Sequence, residues 1–309
     1  MQGFLRKAAL ASVAMIAVAA FAGGCGDDAD APDSAPTPGA TASSSPAGGT
    51  TPGSGEIDIS GIEELDDGTL DIGSDIAYAP IEFLDETTNE PVGLDIDIAN
   101  ALAEVLGVEA SFDNSAFDGL LPALDAERYD VILSAMTASD ERKKQVNFVE
   151  YFNAGSGIIV PAGNPMGINS ADDLCGKTVA VQEGTVQVDF LLGTEDAPGG
   201  LDQKCKDDGN EGITVRRFQT DPEAVLALTA GQADAEMADF PVAAYSAEQS
   251  DGALEVVPNQ IEPAPYGIAV RKGSAELRDA LQDAYDEIAE NGTLDEILAK
   301  WGLEAGKLE

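Results

Sequence analysis

The sequence predicts an α/β fold with more than one lobe, and three observations carry that prediction. Strand-like apolar runs alternate with helical stripes in the order strand, helix, strand, helix, strand from Thr69 onward, the pattern of a largely parallel sheet built through right-handed crossovers. A second αβ set spans residues 177–237, after an apolar strand at 152–161 that carries Gly155 and Gly157 in its middle. Two glycines weaken a central strand and suit a bend between domains, so a first hinge is expected there. Residues 56–309 also provide length for two ordinary domains. The 44% hydrophobic content of the full chain is too high for an acidic disordered one, even at a net charge of −41.

The chain starts with a segment that does not belong to the fold. Arg6 and Lys7 precede an unbroken apolar run from Ala8 to Ala22, short and Ala-rich, as in an export signal over residues 1–24. Its end, Phe21-Ala22-Gly23-Gly24-Cys25, resembles a bacterial lipobox, with Ala22 where Leu is commoner, so Cys25 is expected to be lipidated. Several acyl chains on one residue would hold the protein to a membrane surface. The rest of 25–55 is almost entirely Ala, Ser, Thr, Pro, Gly and Asp, a composition that forms no core and reads as a tether with a reach of roughly 30 Å.

Within the body, residues 69–77 alternate as a strand, and Tyr78-Ala79-Pro80 turns the chain out of the sheet. Residues 94–106 place Ile98, Leu102, Val105 and Leu106 on one helical stripe that Gly107 ends. Residues 115–127 repeat the pattern with Phe117, Leu120, Leu121 and Leu124. Val131 to Leu133 then form a buried strand, and Ser139-Asp140-Glu141 reads as the N-cap and first turn of the next helix. In the second set, residues 177–182 lead as a strand into Glu183-Gly184-Thr185-Val186-Gln187, the start of a helix. Residues 213–218, 222–230 and 233–237 follow as strand, helix and strand, ending at Asp239-Phe240-Pro241. A returning strand at 265–271 and two helices, 275–290 and 294–301, close the chain.

Ligands of open α/β sheets collect beyond strand ends, where a helix N-terminus faces the crevice. After Leu133 that position carries the hydroxyls of Ser134 and Thr137 and the guanidinium of Arg142. A planar fork holds both oxygens of a small carboxylate while hydroxyl and N–H groups take the remaining lone pairs. An arginine solvated on an exposed first turn satisfies the same spacing.

Composition excludes several classes of function. Lys and Arg number 16 against 57 Asp and Glu, too few and too dispersed for a nucleic-acid face. The absence of histidine removes Ser-His-Asp and Cys-His nucleophilic sites and HExxH metal sites, and neither metal nor cofactor is expected. Cys175 and Cys205 are the only cysteines of the body, and in an exported chain such a pair reads as a disulfide. In the chain-entropy model it would stabilise by roughly 3–4 kcal/mol.

Several blocks in order resemble a known family: SDIAYAPIEF at 74–83, GLDIDIANALAEVLGV at 93–108, FDGLLPALDAERYDVILSAMTASDERKKQVNF at 117–148, GKTVAVQEGT at 176–185 and AYDEIAENGTLDEILAKWG at 284–302. They are similar to the family 3 extracellular solute-binding proteins of ABC importers, the polar amino-acid binders. The resemblance implies a two-lobed, periplasmic-binding-protein-like (type II) fold. Each lobe holds a mixed, mostly parallel sheet flanked by helices, with the ligand in the cleft between them. Lobe 1 is then 56–156 with 264–309, and lobe 2 is 157–263.

Carried over residue by residue, the resemblance implies that Arg142 grips an amino-acid carboxylate, aided by Thr137 and by backbone N–H groups of Thr185 and Val186. It has Asp239 and the Ala135 carbonyl receive the ammonium group, Tyr78 and Phe117 sandwich the ligand, and Asp75 and Gln182 set side-chain specificity. It implies a monomer, anchored by lipid outside the cell membrane, that delivers a polar amino acid to a permease; Asp75 and Asp118, with no extra Lys or Arg to place near them, leave a neutral or cationic one. Read singly, Tyr78 and Phe117 also suit a core, Asp239 a helix cap, and Asp75 a turn. Two other functions share the fold: an exported cyclohexadienyl-dehydratase-like enzyme using Glu183 or Glu236 as general acid, and a ligand-sensing subunit for a receptor.

Overall fold

A computed structural model describes residues 57–308. The expected export signal (1–24), the lipidation of Cys25 and the tether (25–55) lie outside the described residues. Among the described residues no helix is long and apolar enough to cross a membrane.

The first αβ set begins with β1 (Thr69–Ser74), leaves the sheet through a small hairpin of β2 (Phe83–Leu84) and β3 (Pro91–Val92), and returns as α1 (Leu94–Leu106). Leu94, Ile98, Leu102 and Leu106 of α1 are buried at helical spacing, and the left-handed Gly107 (φ 73°) closes the last turn. β4 (Glu109–Asn114) runs parallel to β1. The helix expected over 115–127 is shorter: a 3-10 turn, Phe117–Gly119, leads into α2 (Leu120–Asp125). Pro122 falls in its first turn, where a missing N–H costs nothing. β5 (Val131–Ile132) pairs parallel with β1, and α3 (Asp140–Gln145) starts at Ser139, whose Oγ accepts the Arg142 N–H at 3.3 Å.

β6 (Val146–Pro161) is one continuous 16-residue strand through the expected hinge. β7 (Thr178–Gln182), α4 (Val186–Leu192), α5 (Gly200–Asp207), β8 (Thr214–Phe218), α6 (Asp221–Thr229), β9 (Ala235–Asp239) and α7 (Phe240–Gln249) make the second set. After β10 (Leu254–Val256), the long β11 (Ile261–Arg271) returns to the first set, which α8 (Ala275–Glu290) and α9 (Thr293–Trp301) cover by packing on α1. A disulfide joins Cys175 to Cys205 of α5, with Cα atoms 5.5 Å apart.

The strands form one hydrogen-bonded ladder in the order β4-β1-β5-β11-β6-β9-β7-β8, with β10 on β6. The parallel pairs expected within each set are present, and antiparallel pairing of β6 with β11 and β9 fuses them. The apolar interior nonetheless divides. One cluster gathers Ile72, Leu102, Val131, Tyr151, Ile268 and Leu281, and another gathers Ile158, Val179, Leu191, Cys205 and Met237. β6 passes between them, and at Ser156 it exchanges β11 for β9, placing Ser156 opposite Asp239. The ends of β1, β5, β7 and β9 thereby meet at one crevice.

Candidate functional site

A narrow cavity of about 10 Å³ lies at this crevice, its walls standing close together. All ten residues expected to bind ligand line it: Asp75, Tyr78, Phe117, Ala135, Thr137, Arg142, Gln182, Thr185, Val186 and Asp239. Glu82 and Gln187, which were not foreseen, complete the wall. Glu82 sits in the turn after β1, where a lone Glu between apolar neighbours was a usable hint; Gln187 directly follows Val186.

Arg142 occupies the first turn of α3 and is buried, which rules out the solvated alternative. Its Nη1 donates to the Thr137 carbonyl at 2.9 Å and its Nη2 to the Gly184 carbonyl at 3.1 Å, so it bridges the β5 and β7 ends. The Phe117 ring lies against the guanidinium, 5.3 Å from ring centroid to Cζ, which gives this aromatic a role in steadying the cation. Burial lowers the Arg142 pKa to about 10, so it stays charged at neutral pH. A buried cation held only by carbonyls and a ring is matched best by an incoming anion.

Ser134 and Ala135, at the end of β5, are pinned from below. Ser134 Oγ accepts the Asp75 N–H at 2.9 Å and donates to Glu82 Oε1 at 2.8 Å, so its hydroxyl serves the scaffold instead of the crevice. Asp95, in the first turn of α1, accepts the Ala135 N–H at 2.8 Å and the Tyr151 hydroxyl at 2.8 Å. These bonds hold Ala135 at φ 43°, a left-handed conformation that costs a non-glycine residue roughly 1–3 kcal/mol and clusters at functional sites. Burial, reinforced by Asp95, pushes the Glu82 carboxyl well above its usual range, which keeps it neutral.

Asp239 stands at the N-cap position of α7, yet its side chain makes no capping bond. Its Oδ1 instead accepts from Gln187 Nε2 at 2.8 Å, and its carboxyl group lines the cavity. Its own N–H donates to the Tyr78 hydroxyl at 2.8 Å, tying the turn after β1 to the end of β9. Tyr78 is therefore a bridge as well as a wall. Tyr78→Phe should leave that N–H without a partner when the cleft is closed, weakening ligand affinity by roughly 1–3 kcal/mol. Calorimetry checks this, and affinity within twofold of wild type contradicts it.

At the far wall, Gln182 Nε2 donates to Asp75 Oδ2 at 2.5 Å and to the Gln219 carbonyl at 3.2 Å. Gln219 Nε2 in turn donates to Asp118 Oδ1 at 2.9 Å. Asp118 does not line the cavity, although its charge bears on Asp75. Thr185 Oγ1 donates to the Gln182 carbonyl at 2.8 Å, which fixes the turn into α4.

The site is crowded with carboxyl groups. Burial raises Asp75 and Asp239 each to about 6, and behind them the buried Asp221 to about 7 and Glu236 well above its usual range. Two pH dependences of opposite sign follow. Without ligand, carboxyls whose folded pKa is raised bind more protons than in the unfolded chain, so stability should rise as pH falls from 7.5 to 5. A cationic ligand requires Asp75 and Asp239 ionised, so its affinity should be full above pH 6 and fall below it. The expected loss is about tenfold per pH unit for each carboxylate that must lose its proton. Thermal melts and titrations at pH 5 and 7.5 test both, and equal affinity at the two pH values contradicts the second.

The chain that builds this site has relatives. The sequence profile of the bacterial extracellular solute-binding proteins, family 3, matches residues 70–304. The chain belongs to that family. Similar proteins include the arginine-binding protein ArgT of Corynebacterium glutamicum, 34% identical over 242 residues that cover 78% of this chain and 77% of ArgT. The L-cystine-binding protein TcyJ of Escherichia coli is 33% identical over 235 residues, covering 76% and 82%. Among solved structures, an ancestral arginine-binding protein bound to arginine aligns with a TM-score of 0.68 at 38% identity, covering 76% of this chain and 98% of that one. The family 3 chain thus has the two-lobed binding-protein architecture, and its cavity lies where the two cores meet.

Proposed function

We propose that this family 3 protein binds a cationic amino acid, L-arginine before others, between its lobes (56–156 with 264–309, and 157–263) and delivers it to the permease of an ABC importer. The observation that carries the ligand class is the charge balance of the cavity wall. Arg142 and Asp239 match the carboxylate and ammonium groups of any amino acid, with Thr137, the Thr185 and Val186 N–H groups and the Ala135 carbonyl completing the two half-sites. Asp75 is then left over at the far wall, with no second cation lining the cavity. A guanidinium or ammonium side chain answers Asp75, whereas a glutamate or aspartate side chain would be repelled. The arginine-binding relatives support the same choice.

Asp75→Asn tests this reading. Arginine affinity should fall at least about tenfold and glutamine should gain on it, whereas unchanged arginine affinity would reject Asp75 as the specificity residue. Of the two acids named for the dehydratase alternative, Glu183 pairs with Arg217, and neither it nor Glu236 lines this cavity, which favours the binding reading. The remaining parts of the proposal are an export signal at 1–24, a lipid on Cys25 and a tether over 25–55. They hold a monomer at the outer face of the membrane, where its permease is.

A further inference from the structure

We propose that Gln187 is the positioning residue of the ammonium half-site, holding the Asp239 carboxylate out of its competing role as a helix cap; this rests on the amino-acid reading above. Gln187 is buried in the first turn of α4, and both N–H bonds of its amide are committed. One goes to Asp239 Oδ1 at 2.8 Å, the other to Ser156 Oγ at 3.0 Å. Ser156 lies directly opposite Asp239 in the β6–β9 ladder, so the amide is clamped between two strands and its orientation is fixed.

Asp239 needs such a clamp because of where it stands. An Asp at an N-cap position ordinarily turns back to accept from the N–H groups of the next two or three residues. Here Pro241 removes one of those donors, and Val242 retains another, so the capping rotamer stays accessible in the sequence. The structure shows no such cap bond, and the carboxylate faces the cavity against Gln187. Gln187 also follows directly on Thr185 and Val186, the residues assigned to the ligand carboxylate. One segment therefore serves both ends of the amino-acid head group. Tyr266, Tyr78, Arg142, Glu82, Tyr151, Asp221 and Glu236 are the other charged or titratable groups that act on Asp239.

The test is a calorimetric comparison of wild type and Gln187→Met, a substitution of similar length with no donor, on two ligands: L-arginine and 5-guanidinopentanoate, which is arginine without its α-ammonium group. Arginine affinity should fall about tenfold or more, while the deaminated ligand, which has nothing for Asp239 to receive, changes by less than about twofold. The pH below which arginine affinity declines should also move upward, because the Gln187 amide helps hold the Asp239 carboxyl down. Retained binding of 5-guanidinopentanoate shows that the variant is folded. Equal losses for both ligands, or loss of all binding, would make Gln187 a structural residue and overturn the proposal, as would unchanged arginine affinity. A wild-type protein that binds no arginine would instead overturn the ligand reading itself.

Discussion

Arg142→Ala should abolish most of the ligand affinity while leaving the ligand-free protein as stable as wild type. The two effects separate because the buried guanidinium is held by carbonyls and a ring and waits for an anion. Removing it relieves a burial cost in the empty protein, yet in the complex it strands a ligand carboxylate in low dielectric. Truncating one partner of a desolvated charge pair costs about 2–5 kcal/mol, so affinity should drop by well over tenfold. In a melting experiment the ligand-induced rise in Tm should vanish, since that rise follows directly from binding to the native state. Arg142→Lys should rescue little, because an ammonium cannot hold the Thr137 and Gly184 carbonyls and a carboxylate together. Wild-type affinity in Arg142→Ala would remove the carboxylate half-site from the account. Asp239→Ala should lose at least tenfold for the complementary reason.

Gly184→Ala is the second large effect, and it acts on closure. Gly184 has φ 79°, a conformation that side chains adopt at a cost, and a Cβ there would stand 2.9 Å from Asp118 Cβ and 3.0 Å from Asp118 Cα. The neighbour includes backbone of the segment packed on Leu120 and Leu124, so it cannot swing away. The half carrying β7 must stay farther from the half carrying α2, and the Arg142 bond to the Gly184 carbonyl is stretched with it. Overpacking of this kind costs about 1–3 kcal/mol. Affinity should fall correspondingly, and small-angle scattering should show the ligand-saturated variant more extended than ligand-saturated wild type. A variant that closes and binds like wild type would contradict the closed geometry described here.

Much of this site was legible because it sits at element ends. Strand runs followed by cap residues mark crevice positions, and Ser139, Arg142, Thr185 and Asp239 all fall there. α1 and α8 were likewise plain, since their buried residues recur at helical spacing between clear stops. What escaped depended on distant partners. Glu82 offers only its apolar neighbours as a local hint, and its burial is made tolerable by Ser134, 52 residues away. Ser134 looked like a ligand contact, and the same bond turns it inward. Gln187 acquires meaning only beside Asp239, also 52 residues distant. α5 was hidden because only Leu201 and Cys205 of its mostly polar residues are buried, and the disulfide to Cys175 pins it. The fused ladder was invisible for the same reason: antiparallel pairing of β6 with β11 joins segments more than 100 residues apart, and no local pattern encodes it.

The central claim, an interlobe site for a cationic amino acid, is tested most directly by calorimetric titration of the folded body with L-arginine and with L-glutamate at pH 7.5. Arginine should bind with micromolar or tighter affinity, and glutamate should give no measurable heat. Tight glutamate binding, or silence with arginine from a folded protein, would contradict that claim.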